Sequence, residues 1–340
     1  MGKKIRLLAV CLALALCVCG CSMKMPDLSA VTGANKTDTE KFNVYIDFQN
    51  YCQGKWLDAV VRMYFEQFGF EEEPDLSDAA AFTLGETEGK ESMYEMYKGK
   101  STAARRYTDE KPEYGEADQR MKELCDAFDV FFELYFNQVN RYYTDEEYKA
   151  DGYARGKELH REMLKCYLEF AEATNAFGLA FEQKSIEMQQ ADLPKMQEKG
   201  LDIHYYALSF LLNSQQTSLY FQQLILDGVD YLDADLSVYR QMYDTLTSDM
   251  DALKEAYKKD GQLAKDGYTS NQQVFLQRFI ETAEMMMVAA TDMLHMIEAG
   301  SEDVENEMSG LVTTGGRNYP MSRFDQRLEQ LISAYNQSIS

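Results

Sequence analysis

Three histidines, at positions 160, 204 and 295, bound the acid–base and metal chemistry open to this 340-residue chain. His160 sits in Glu158-Leu159-His160-Arg161-Glu162. That string lacks the paired Glu-x-x-His of di-iron bundles and the H-E-x-x-H of zinc peptidases. Asp292 and His295 stand one helical step apart and can face a single ion, but two ligands alone make a weak site, and a hydrogen-bonded histidine is the plainer reading. Asp233, Asp235, Ser237 and Asp244 fall on four ligand positions of a calcium loop. Val238, however, takes the place where that loop needs glycine. Residues 152–157 have neither the spacing nor the closing Ser or Thr of a phosphate loop, and no G-x-S-x-G elbow occurs. No catalytic residue, metal ligand or cofactor site is assigned on this pattern, and the chain is read as non-enzymatic.

One cysteine does carry a chemical signal. Lys3, Lys4 and Arg6 precede an apolar run over 7–18 and the small-residue close Val18-Cys19-Gly20-Cys21. The run is too short for a hydrocarbon core of about 30 Å, which needs roughly 20 residues. A basic start, a short apolar stretch and small residues before a cut are the secretory pattern, and Cys at the first mature position resembles a bacterial lipoprotein signal. The reading is a signal peptide at 1–20, lipidation at Cys21, and a flexible tether at 21–39. Acyl chains, at about 0.8 kcal/mol per buried methylene, would anchor the protein without spanning the membrane. The body should then stand outside the cytoplasm, on the cell surface or the periplasmic side.

Composition agrees with such a body. Against 34 basic residues stand 57 acidic ones, a net charge of −23, which becomes −26 when the three basic residues of the signal are removed. Such a charge repels nucleic acid and anionic headgroups. Of seven cysteines, Cys52, Cys125 and Cys166 lie in the body. An odd number leaves a disulfide open, although positions on apolar helix faces favour buried thiols.

The elements that must position these residues are helical throughout. Phe42, Tyr45 and Cys52 share a face in a helix expected over 39–68 and ended by Gly69. Across 70–117, Pro74, Pro112 and several glycines dissolve the pattern into an irregular excursion, with at most a short helix at 91–98. Met121, Leu124, Phe128, Phe131 and Tyr135 place a second helix over 118–143. Thr144 to Glu147 then reads as a capping box for a third, 153–190, about 55 Å long. Further helices are expected at 202–227, at 232–257, at 270–300 behind a box formed by Ser270 and Gln273, and at 321–339 beyond a Gly-rich linker, 300–320. No period-two alternation of β-branched residues is present. The expectation is an all-α, elongated antiparallel bundle of about seven helices forming one domain over 40–340.

Two passages carry a family likeness. One is Lys41-Phe42-Asn43-Val44-Tyr45-Ile46-Asp47 with Asn50. The other is Tyr142-Tyr143 with Tyr148, Asp151, Gly156, Leu159 and His160. With the late Tyr335-Asn336 and the lipobox, they resemble the YiiG-like bacterial lipoprotein family, whose function is uncharacterised. The resemblance implies secretion, lipidation and a helical body, and supplies no catalytic residues.

What remains is the aromatic content, 23 Tyr and 18 Phe, with 19 Met. At helical spacing these are core residues first, and a groove for ligand second. The function expected is therefore binding of a partner protein or envelope component through the bundle surface, without nucleic acid. The alternative is a ligand carrier with an aromatic and Met-lined apolar pocket.

Overall fold

A computed structural model describes residues 36–77, 90–301 and 320–339, and among these there is helix and no strand. The signal peptide, Cys21 and most of the tether lie outside the described residues, as does most of the Gly-rich linker. The chain forms two compact units, divided at Phe181 and Glu182. Among the described residues, eleven helices of five or more residues replace the seven expected.

In the first unit, α1 (Lys36–Cys52) starts within the stretch read as tether. It is separated from α2 (Lys55–Phe68) by a turn at Gln53 and Gly54, where one helix was expected. A Cβ on Gly54 would come within 2.9 Å of the Asn50 carbonyl. The apolar rhythm runs through this glycine, so the sequence pattern shows no stop there. Gly69 does close α2, with φ of 78°.

Within the expected irregular stretch, α3 (Lys90–Tyr107) is a full helix of 18 residues. Its buried face is Tyr97, Ser101 and Ala104, continued by Thr108 just beyond the helix end. Three of these are small or polar, so a search for large apolar side chains passes over a correct four, three, four spacing.

Next, α4 (Glu116–Glu133) runs into a π-helical turn, Leu134–Val139, and out through α5 (Asn140–Thr144). The π turn shifts the register while keeping Leu134, Tyr135 and Val139 buried. The expected box at Thr144 is not formed: its hydroxyl meets Asn140 Oδ1 at 2.9 Å, closing α5 instead of opening a new helix.

The long helix α6 (Ala154–Gln190) gives 154–181 to the first unit and 182–190 to the second. Its aromatic side chains organise the first core. Phe177 and Phe181 meet Tyr45, Phe181 also meets Phe42, Phe170 stacks on Phe131 at 5.3 Å, and Tyr167 lies against Phe65.

The second unit continues with α7 (Leu193–Lys199), α8 (Asp202–Leu226), α9 (Leu236–Lys258), α10 (Ser270–Ala299) and α11 (Pro320–Ile339). Gly200 ends α7 and Gly300 ends α10, both left-handed. Leu232 belongs to a separate 3₁₀ turn, Tyr231–Asp233, and α9 is capped by Asp235. The capping box of α10 is formed by Thr269 and Gln272, one residue earlier than expected. As its breadth of apolar residues suggests, α8 is buried along most of its length, from Ile203 and Leu208 to Phe221.

Candidate functional site

The three histidines are not brought together. His160 is fully buried; its Nε2 stands 2.8 Å from the Glu71 carbonyl and its Nδ1 3.2 Å from the Tyr64 hydroxyl. A carbonyl only accepts, so Nε2 carries the proton and Nδ1 accepts from the tyrosine. His204 repeats the arrangement in the second unit, with Nε2 donating to the Asp266 carbonyl at 3.0 Å and Nδ1 accepting from Tyr268 at 3.0 Å. Burial lowers the pKa of both rings and keeps them neutral. His295 is exposed, whereas Asp292 is buried and takes Arg323 of α11 at 3.1 Å, so these two do not face one ion. Among the described residues no group of three or more potential ligands could hold a metal.

Other polar residues singled out by the sequence also hold structure together. Asp235 accepts from the backbone N–H groups of Ser237 and Val238 as an N-cap, which is why the calcium-loop spacing is coincidental. Cys52, Cys125 and Cys166 are free thiols. Burial pushes Cys125 up to about 12 and Cys52 well above the ordinary thiol range.

The family passages resolve into two clusters of contacts in the first unit. Lys41, fully buried, donates to the carbonyls of Glu110 and Pro112 at 2.9 and 2.8 Å and to Asp118. Asp118 also accepts from Tyr45 at 2.6 Å and from the Tyr114 backbone at 2.7 Å. All three ammonium protons and both carboxylate oxygens are engaged, as a buried ion pair requires. In the second passage Tyr142 donates to Asp151 at 2.8 Å, and Gly156 lets α6 approach both tyrosines. A Cβ there would lie 3.0 Å from a Tyr142 ring carbon and 3.2 Å from the Tyr143 hydroxyl. These residues pin α1, α4, α5 and α6 and leave no group poised for reaction.

The place that departs from this pattern is a polar seam in the second unit. Glu182, Ser185 and Gln189 share one face of α6; Gln215, Ser218 and Gln222, with the same spacing, line α8; Asp325 comes from α11. Gln215 hydrogen-bonds Glu182. Ser218 donates to Asp325 at 2.9 Å and receives the Gln222 amide at 3.1 Å. Glu182 and Asp325 are partly buried, and the five neutral residues are nearly or fully so. The amide oxygens of Gln189 and Gln222 are buried without a hydrogen-bond partner, so the seam is polar beyond what its own hydrogen bonds satisfy.

Burial is the largest influence on both carboxyl groups. It pushes Glu182 up to about 7, with the charge of Asp325 adding to the rise, and Asp325 up to about 6, with Glu329 adding. Perturbed pairs of this kind mark functional positions more often than chance, although structural networks also produce them. The aromatic run of α6 ends at Phe181, so the large apolar residues that mark the first core give no pointer to the seam. The signal present is two polar triplets, 182/185/189 and 215/218/222, at positions where helix periodicity calls for apolar residues.

Comparison with known proteins places the chain. It is 33% identical over 81 residues to the uncharacterised protein YiiG of Escherichia coli (strain K12), a match covering 24% of this chain and 23% of that protein. The aligned part thus spans about a quarter of that relative. No solved structure matches. The family described as "Protein of unknown function (DUF3829)" matches residues 36–337, from the start of α1 nearly to the end of α11. With both units, the buried Lys41–Asp118 clamp and the carboxylate seam inside that match, the chain belongs to the DUF3829 family.

Proposed function

We propose that this protein is an extracytoplasmic lipoprotein, held to a bacterial membrane through Cys21, whose helical body acts by binding a partner protein or envelope component. The lipobox supports the anchor. The observation that carries the binding mode is the use made of the aromatic residues. Phe42, Tyr45, Phe48, Phe128, Phe131 and Phe177 are all at most 1% exposed and pack ring against ring. The side chains that would line a carrier's apolar pocket are occupied by one another. Along the outer face of α9, by contrast, Arg240, Gln241, Asp244 and Ser248 border an open polar concavity of about 600 Å³, a surface suited to polar contact with another molecule.

The two parts have separate tests. Cys21→Ser should abolish incorporation of labelled fatty acid and release the protein from the membrane fraction; label retained by the variant overturns the anchor. In-cell crosslinking of the anchored protein should recover a discrete protein or envelope polymer. A stoichiometric small apolar molecule in the purified protein, or turnover of an ester or peptide substrate, would replace the binding reading with a carrier or an enzyme.

A further inference from the structure

Donors and acceptors in the polar seam do not balance. Ser218 gives its hydroxyl proton to Asp325 Oδ1 at 2.9 Å, so its oxygen is left to accept, and it takes the Gln222 amide N–H at 3.1 Å. That fixes the orientation of the amide and leaves Gln222 Oε1, on a side chain 6% exposed, without a partner. Gln189 is oriented in the same way. Its Nε2 lies 3.4 Å from the Ser185 carbonyl, which only accepts, and its Oε1 is also buried and unpartnered. The unmet atom is an oxygen in both residues. Basic side chains near the carboxylates are engaged elsewhere: Arg323 and Arg327, on either side of Asp325, meet Asp292 at 3.1 Å and Gln330 at 2.7 Å, and Lys184 pairs with Glu187 at 3.6 Å.

A buried amide oxygen joined through one hydroxyl to a carboxylate without a counter-charge suits a guest that brings positive charge and accepts nothing. Water would satisfy the amide but leave the charge. The burial of Ser218 and Gln222 excludes a large guest, while Asp325, partly exposed, gives a small one its way in from solvent. We infer that the seam binds one hard metal cation, with calcium as the best-suited ion, through the Asp325 carboxylate and Gln222 Oε1, water completing the shell. Calcium accepts carboxylate, amide and water oxygens together in a flexible geometry. The acids and imidazoles of the described residues form no group of three, so neutral oxygens carry the rest of the coordination. Glu182 is held by Gln215, three residues before Ser218 and about 4.5 Å along the α8 axis, and adds negative field without being required as a ligand.

Equilibrium dialysis of the full chain against calcium, in about 0.1 M salt to screen weak binding at surface carboxylates, tests the site. One saturable ion per chain is expected. Asp325→Asn and Gln222→Leu should each weaken it about tenfold or more, whereas Glu329→Gln, an exposed acid one turn beyond Asp325, should leave it unchanged. Gln222→Leu replaces a buried amide that has an unmet oxygen and should keep the fold. Calcium should also slow amide exchange in α8 and α11 of the parent while α3 and α4 in the first unit stay as they were. The site is overturned by a parent with no saturable ion, by equal affinity in parent and both variants, or by an equal loss in Glu329→Gln, which marks binding to surface carboxylates only. If neither variant folds, the parent's exchange decides: slowing confined to α8 and α11 supports the site, and slowing elsewhere or nowhere overturns it.

Discussion

Lys41 and Asp118, 77 residues apart in the chain, meet at 2.8 Å with the lysine wholly removed from solvent. The first unit therefore encloses a charge pair that joins α1 to α4 and ties both to the turn carrying Glu110 and Pro112. Replacing one member leaves the other charged and uncompensated, a loss of about 3 to 5 kcal/mol. Lys41→Met and Asp118→Leu should each lower the urea midpoint of the full chain by an amount in that range. The double replacement should recover a large part of it, since no lone charge remains.

Gly156 and Gly99 make a matched pair of substitutions. Alanine at 156 pushes a methyl group against Tyr142 and Tyr143 and should cost about 1 to 3 kcal/mol. At 99, inside α3, nothing lies within 4 Å, and the gain in helix propensity should stabilise by about 0.5 to 1 kcal/mol. Thermal unfolding of the two variants beside the parent gives the opposite signs directly.

The rings of His160, fully buried, and His204, half-buried, impose an acid limb of their own. Both pKa values are lowered by burial, so the unfolded chain takes up protons first and stability falls as pH drops below the ordinary imidazole value of about 6.5. His204→Gln should be less stable than the parent at pH 7, because the bonds to Asp266 and Tyr268 are weakened, and its decline between pH 7 and 5 should be shallower.

Thr269 and Thr144 test the capping assignments. Thr269→Ala removes the hydroxyl that accepts from the Gln272 N–H and should cost about 1 kcal/mol. Thr144 caps no helix, and Thr144→Ala should have a smaller effect, read by the same denaturation curves.

Those two threonines show where helix signals are legible. Both open a four-residue string ending in Glu or Gln, yet only one is a box, because Gln272 folds back onto its cap whereas the chain at Glu147 is already turning under Tyr142. Long apolar series mark α6, α9, α10 and α11 within a few residues, since Leu159, Met163, Phe170 and Phe177 can be buried together only on a helix. The break at Gly54 and the π turn at 134–139 leave the apolar rhythm nearly intact, so nothing in residue type announces them. The division into two units is likewise hidden, because α6 carries one unbroken helical pattern through both. The candidate site is illegible for another reason: Glu182 and Asp325 are ordinary acids in an acidic sequence until the fold brings Glu182 to Gln215 and Asp325 to Ser218, both on α8.

Two of the three imidazoles are fixed connectors inside the units, His160 fully buried and His204 partly so, while His295 is exposed. The net charge of −23 makes the outer field of this chain strongly anionic. Ionic strength, through screening over about 10 Å at 0.1 M salt, is the variable that will set how strongly it draws a cationic surface towards it.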